Sequence, residues 1–273
     1  MSALVGNLIL FISGLALTVT SGADVLPVST IRWIQVEQNV LLFALPSLLC
    51  AWAVSRKPFD LLRLNSLPPV GAWLCMGLFV MVALPAVNLL SMLNNMVSLP
   101  DFLSPMEEWM RAKEIASAEI TVRLLEMDNL ATLGITLVVM AALPALGEEL
   151  VFRGLLQRLI EQRIGLHAGV WIAAVLFSAI HLQFFGFVPR MLLGAAFGYM
   201  AAWTGSLWLP IAAHFLHNAF AVITAYLQQR HIISVDVDAI GAGSEWWLGV
   251  ASAAIALWAV SLIKRYKIRE KTG

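Results

Sequence analysis

The chain has 273 residues, of which 60% are hydrophobic and 12% charged, with 17 basic against 17 acidic side chains. A soluble domain carries about 45–50% apolar and about 25% charged residues, so this composition argues against a soluble globular protein and for a multi-spanning membrane protein. The zero formal net charge gives no support to a nucleic-acid partner, and Cys50 and Cys75, both in apolar runs, do not suggest a disulfide framework.

A helix needs about 20 apolar residues to cross a bilayer. Taken in chain order, eight stretches meet that need, at roughly 3–20, 36–54, 70–97, 129–156, 168–185, 189–205, 207–227 and 245–263. The predicted fold class is therefore all-α, a transmembrane helical bundle of about eight spans. The first stretch has no basic leader before its apolar run, which favours a retained anchor over a signal peptide. After the second come Arg56, Lys57 and Arg63, a basic loop. The segment 99–128 is acidic on balance and repeats Trp109, Ala116, Ile120, Leu124 and Met127 at helical spacing, which predicts an amphipathic helix on the outer interface, with a lid or docking surface as its functional alternative. Arg158 and Arg163 follow the fourth span, Asp236 and Asp238 follow the seventh, and the basic tail KRYKIREKTG follows the eighth. Basic and acidic loops alternate sides with eight spans, so both termini are expected in the cytoplasm. Three regions result: N-terminal spans with the amphipathic segment (1–128), a core (129–229), and a last span with its tail (230–273).

Ionisable groups inside spans are rare, and they face a bundle interior or a water-filled cavity. Here they gather on three helices: Glu148, Glu149 and Arg153 on the fourth span, His181 on the fifth, and His214, His217 and Asn218 on the seventh. The other spans read as nearly free of charge. Glu149 and Arg153 are four apart and can pair, whereas Glu148 points about 100° away and is free to face something else. His214 and Asn218 share one stripe, His217 lies off it, and Phe177 sits one turn from His181 as a wall of the site. Pro144 lies one turn before Glu148, where a kink would aim the helix.

A carboxylate shielded from water is a competent general base. An imidazole can share the proton of an attacking water, and His and Asn groups can donate to a developing oxyanion. No serine stands in a nucleophile motif, so the expected chemistry is amide hydrolysis without a covalent intermediate.

These residues resemble a known family. EELVFR, FSAIH and HFLHN are similar to the EExxxR, FxxxH and HxxxN motifs of the CAAX prenyl protease and bacteriocin-processing (CPBP, or ABI) family of intramembrane glutamic endopeptidases, over about 129–225. The resemblance implies a cavity below the cytoplasmic surface in which Glu148 and His181 activate water and His214 and Asn218 stabilise the oxyanion. Glu149, Arg153 and Phe177 then support the site. It implies no cofactor and no metal, and a peptide or protein substrate, lipidated or not, met among membrane lipids. In a prokaryote the location would be the plasma membrane. Two alternatives stand beside this reading: a zinc metalloprotease with Glu148, His181 and His214 as ligands, since those residue types suit zinc, and a non-catalytic membrane scaffold or immunity protein.

Overall fold

The computed structural model describes residues 26–266, and every regular element among them is helical. The principal helices are α1 (Val28–Val54), α2 (Val70–Asn95), α3 (Ser104–Leu124), α4 (Leu130–Ile164), α5 (Leu166–Ala179), α6 (Phe187–Thr204), α7 (Trp208–Gln229) and α8 (Trp246–Ile263). Five of the described helical segments are long and apolar enough to cross a membrane: α1, α2, α4, α7 and the Gly243–Tyr266 segment that contains α8. The stretch 3–20 and the tail 267–273 lie outside the described residues.

Two predicted spans take a different form. The fifth is α5, only 14 residues long; at about 1.5 Å per residue it reaches about 21 Å, short of a hydrocarbon core about 30 Å thick. The sixth is α6, 18 residues long, which carries Arg190 near its start and is less apolar than the five. An apolar window marks burial as readily as lipid contact. Here α5 and α6 pack on α4 and on each other, so part of their apolar surface meets protein.

Large side chains such as Trp52, Met81 and Leu257 point outward, while the main core cluster is rich in alanine. That pattern suits packing in lipid, where close backbone approach rather than water expulsion drives association. Ala72, Ala83, Ala256 and Ala259 let α2 and α8 meet along their lengths. Beside Pro85, inside α2, the Ser252 hydroxyl of α8 stands between the backbone groups of Ala86 and Val82. It accepts from the Ala86 N–H at 3.1 Å and donates to the Val82 carbonyl. A polar side chain from a neighbouring helix thus satisfies the backbone where the proline interrupts the ladder.

The amphipathic segment forms α3, but its protein-facing side is not the apolar stripe alone. Leu124 and Met127 are buried, whereas Trp109 is half exposed and Ile115 and Val122 face outward. Glu114 and Ser117 turn inward and hold the loop after His181: Glu114 accepts from the Phe185 N–H at 3.3 Å, and Ser117 accepts from Gln183 at 2.6 Å. At the near end of α3, the Leu99 N–H and then Arg111 hold the Glu107 carboxyl below its ordinary range. At the far end Arg32 of α1 donates to the Glu126 carbonyl at 2.8 Å.

Gly249 of α8 has no room for a side chain, because a Cβ there would lie 2.6 Å from the Gly241 carbonyl and 2.7 Å from Leu89 Cβ. Gly77 of α2 meets nothing within 4 Å. Gly249→Ala is expected to destabilise the protein by about 1–3 kcal/mol through overpacking. Gly77→Ala should gain up to about 1 kcal/mol from helix propensity. Unfolding midpoints in detergent compare the two; shifts of the same sign would contradict this packing.

Candidate active site

The middle of α4 changes its winding at the glutamates. Residues Val138–Ala142 and Leu150–Leu156 are π-helical, and the α-helical turn Leu143–Glu149 between them carries Pro144 and both acids. Pro144 has no N–H to return to the preceding turn. The Met140 carbonyl of that turn is instead bonded by Asn218 Nδ2 of α7 at 3.3 Å. Wide turns of this kind recur at functional sites.

The α-helical turn separates the two acids as their spacing predicts. Glu149 and Arg153 form an ion pair at 2.9 Å, with both side chains wholly shielded. Arg153 also donates through Nη2 to the Gly194 carbonyl of α6 at 2.8 Å. A Cβ at Gly194 would come within 3.1 Å of that nitrogen and of Phe177, so a side chain there would crowd both. The guanidinium lies over the Phe177 ring at 4.5 Å and the Phe197 ring at 5.7 Å, a cation–π setting that suits a desolvated arginine.

One contact was not expected. The same Glu149 oxygen that receives Arg153 also lies 2.9 Å from His214 Nδ1. A carboxylate only accepts, which assigns the proton to Nδ1 and directs Nε2 away from Glu149. His214 Nε2 stands 3.9 Å from Glu148 Oε2, and the ring stacks on Phe197 at 5.5 Å. Glu149 is therefore shared between Arg153 and His214, not reserved for the arginine.

His181 departs from the helical placement expected of it. α5 ends at Ala179, and His181 sits in the turn beyond, just before Leu182, whose φ of 53° lies in the left-handed region. Its Nδ1–H donates to the Phe177 carbonyl at 2.8 Å, so Nε2 holds the free lone pair. Phe177 packs edge-on against His181 at 5.1 Å and so walls the site as expected.

Glu148, Phe177, His181, His214 and Asn218 line one cavity of about 420 Å³, within the size range of small-ligand sites. His217, three residues from His214, lines it too. Glu149 and Arg153 lie behind its wall. Arg190 of α6 lines the cavity and escaped the sequence reading, although a lone arginine in an apolar helix was visible there. It stands apart from the clustered charges, so short sequence spacing gives it no partner. Among the described residues no three His, Cys, Asp or Glu side chains come together in a way that could hold a metal ion. The proposed zinc set of Glu148, His181 and His214 is thus not assembled as ligands.

Residues 130–220 match the family model described as type II CAAX prenyl endopeptidase Rce1-like. This segment is similar to the Rce1-like domain. It runs from the start of α4 into α7 and contains all three motifs. The uncharacterized protein YpbD of Bacillus subtilis (strain 168) is 30% identical over 100 residues, which is 35% of this chain and 48% of that protein. The chain thus spans about half the length of this curated relative. No solved structure matches the chain.

The buried pair of the Rce1-like segment predicts a specific stability pattern. Arg153→Met should destabilise by about 3–5 kcal/mol, because it leaves a buried carboxylate without its cation. The double variant Glu149→Gln/Arg153→Met should recover much of that loss, since it removes both charges. Unfolding in detergent checks this, and a double variant no better than Arg153→Met would refute an electrostatic origin.

Proposed function

We propose that the protein is an intramembrane endopeptidase that hydrolyses a peptide bond with a glutamate-activated water. The observation that carries this reading is the convergence of Glu148, His181, His214 and Asn218 on one cavity inside an apolar bundle. The endopeptidase description of the Rce1-like family, matched over 130–220, supports it.

The reaction can be written through these groups. Glu148 accepts a proton from water, and the oxygen attacks the scissile carbonyl carbon. The 3.9 Å between Glu148 Oε2 and His214 Nε2 is too long for a hydrogen bond, yet it lets one oxygen atom lie against both. His181, fixed by the Phe177 carbonyl, offers Nε2 as a second acceptor for that water. The tetrahedral oxyanion then meets donors. Asn218 Nδ2 has two hydrogens, and the bond to Met140 uses one. His214, its Nδ1 held by Glu149, presents Nε2 to the same space and donates there when that nitrogen carries a proton. As the carbon–nitrogen bond breaks, the proton on Glu148 passes to the amine, which restores the carboxylate.

Glu149, Arg153 and Phe177 are positioning residues in this scheme. They hold His214 and His181 at fixed angles and keep the charge of Glu149 out of the reaction. Such preorganisation contributes most where water is excluded. The substrate is a peptide or protein segment, lipidated or not. The protein acts as a multi-pass integral membrane protein, in the plasma membrane in a prokaryotic cell, with both termini in the cytoplasm.

Glu148→Gln should lower the hydrolysis rate by about 10²–10⁴-fold, the usual contribution of a positioned base, with insertion and unfolding midpoint kept. Cleavage of a panel of lipidated and unlipidated peptides in detergent or nanodiscs reads this out. Equal rates for wild type and Glu148→Gln would reject the assignment. In the same assay a strong chelator should leave the rate unchanged; loss with chelator and return with added zinc would sink the metal-free mechanism.

A further inference from the structure

The cavity contains a cation that the proposed chemistry does not use. Arg190 lines it together with Glu148 and His181, yet among the described residues no carboxylate comes within 4 Å of its guanidinium, unlike Arg153 or Arg111. Glu114 and Glu148 act on it from beyond that distance, and its hydrogen-bond partner Gln183 is neutral. Nη1 donates to the Gln183 carbonyl at 3.5 Å, and Nη2 donates to the Gln183 side-chain oxygen. A guanidinium has five N–H donors, so three remain.

A cation partly withdrawn from water, as the half-buried Arg190 is, is disfavoured in an apolar bundle unless a counter-charge meets it. Arg153, one layer deeper, solves that problem inside the protein with Glu149. Arg190 does not. It is nevertheless held in place. Gln183 binds it with the amide oxygen while donating its Nε2–H to Ser117 of α3 at 2.6 Å. Gly186, which lacks a side chain, leaves the space beside Nη2, where a Cβ would lie 3.2 Å away. The guanidinium is thus positioned in advance with donors unspent, the condition under which a planar, bidentate carboxylate is bound well.

We infer that Arg190 is a specificity-determining residue: its guanidinium receives a carboxylate of the bound peptide, and the site therefore selects peptides that bring one into the cavity. The inference rests on the peptidase reading for the nature of the ligand, and on the cavity geometry for its charge. The carboxylate could be the chain terminus or an aspartate or glutamate side chain, which share this chemistry. Gln183 acts through Arg190 and is a positioning residue. α3 contributes to selection through Ser117 without touching the ligand.

The test is binding, measured on the full chain in nanodiscs with the Glu148→Gln substitution so that probes survive. Three fluorescent apolar hexapeptides serve as probes: one with a free C-terminal carboxylate, its C-terminal amide, and that amide with one internal aspartate. Anisotropy titration should show at least one carboxylate probe bound about tenfold or more tighter than the plain amide, the equivalent of one charge-assisted hydrogen bond. Which probe wins identifies the source. Adding Arg190→Gln should bring the ratio to about one, and Arg190→Lys should leave an intermediate ratio. If Arg190→Gln fails to fold, Arg190→Lys and Gln183→Leu decide the matter, since both should reduce the ratio. Equal affinity for all three probes, or a preference that survives these substitutions, overturns the inference. Hydrolysis by the wild type is scored separately. Carboxylate preference without cleavage would reject the peptidase reading alone, and cleavage without preference would reject the role of Arg190 alone.

Discussion

The arrangement depends on how one buried ion pair is satisfied. Glu149 and Arg153 meet at 2.9 Å with no exposure to solvent, and taking two such charges out of water is repaid only when further hydrogen bonds complete them. Further groups come from other helices, the Gly194 carbonyl from α6, the Phe177 ring from α5 and His214 from α7, while among the described residues Glu149 Oε2 and Arg153 Nε have no hydrogen-bond partner. Four helices are therefore committed to one point by the needs of a single pair. His214 gains its orientation as a by-product, because the oxygen that neutralises Arg153 also fixes its ring. The same logic continues along α4. Gln157, one turn on from Arg153, donates to the Gly198 carbonyl at 3.0 Å and to Glu161 at 2.7 Å, so the polar stripe Glu149–Arg153–Gln157–Glu161 runs against α6. The glycines at 194 and 198 are what let it come so close.

Proline shapes the bundle by a related device. In α2 the ladder beside Pro85 is completed by Ser252 from α8, and in α4 a carbonyl next to Pro144 is bonded by Asn218 from α7. In lipid no water completes an interrupted backbone, so a kinked helix commits a neighbour to a specific polar residue. At Pro85 this fixes packing. At Pro144 it also anchors the Asn218 side chain at the cavity wall, a position that backbone repair and oxyanion contact can share.

Much of this was legible in the sequence, and the reason is periodicity. The 100° step between adjacent residues separates Glu148 from Glu149, and the four-residue step joins Glu149 to Arg153 and aligns His214 with Asn218. The first and last of these survive because Leu143–Glu149 and α7 are regular α-helix, and the Glu149–Arg153 pair forms even though Arg153 lies in the π-helical turn. What failed depends on tertiary contact. The π turns flanking the acids leave no mark in residue type. The length of α5 was overread because an apolar window does not distinguish lipid from protein neighbours, so His181 emerged in a turn. The second partner of Glu149 lies 65 positions away, beyond any local spacing rule. Arg190 is the instructive miss: clustering in sequence located the paired charges, whereas an isolated charge has its partners assigned only by the fold.

The contrast between the two arginines clarifies the division of the site. Arg153 sits among aromatic rings and a carboxylate, with its charge answered inside the protein; it stiffens the wall. Arg190 sits on the cavity side of α6, four residues before Gly194, hydrogen-bonded to the neutral Gln183 with Glu114 and Glu148 farther off. Separation of this kind keeps a reactive cavity electrostatically open without loosening its frame, because the structural charge and the ligand-facing charge do not compete for one partner. α3 also helps to build the cavity wall, which Thr121 lines. α3 turns Glu114 and Ser117 toward the loop that carries His181 and Gln183, so a segment with an outward apolar face and an acidic composition acts as a brace for that loop. Its apolar residues and its bracing residues thus lie on opposite faces of one helix, which explains why its inward positions are polar where a simple amphipathic pattern would have put them outside.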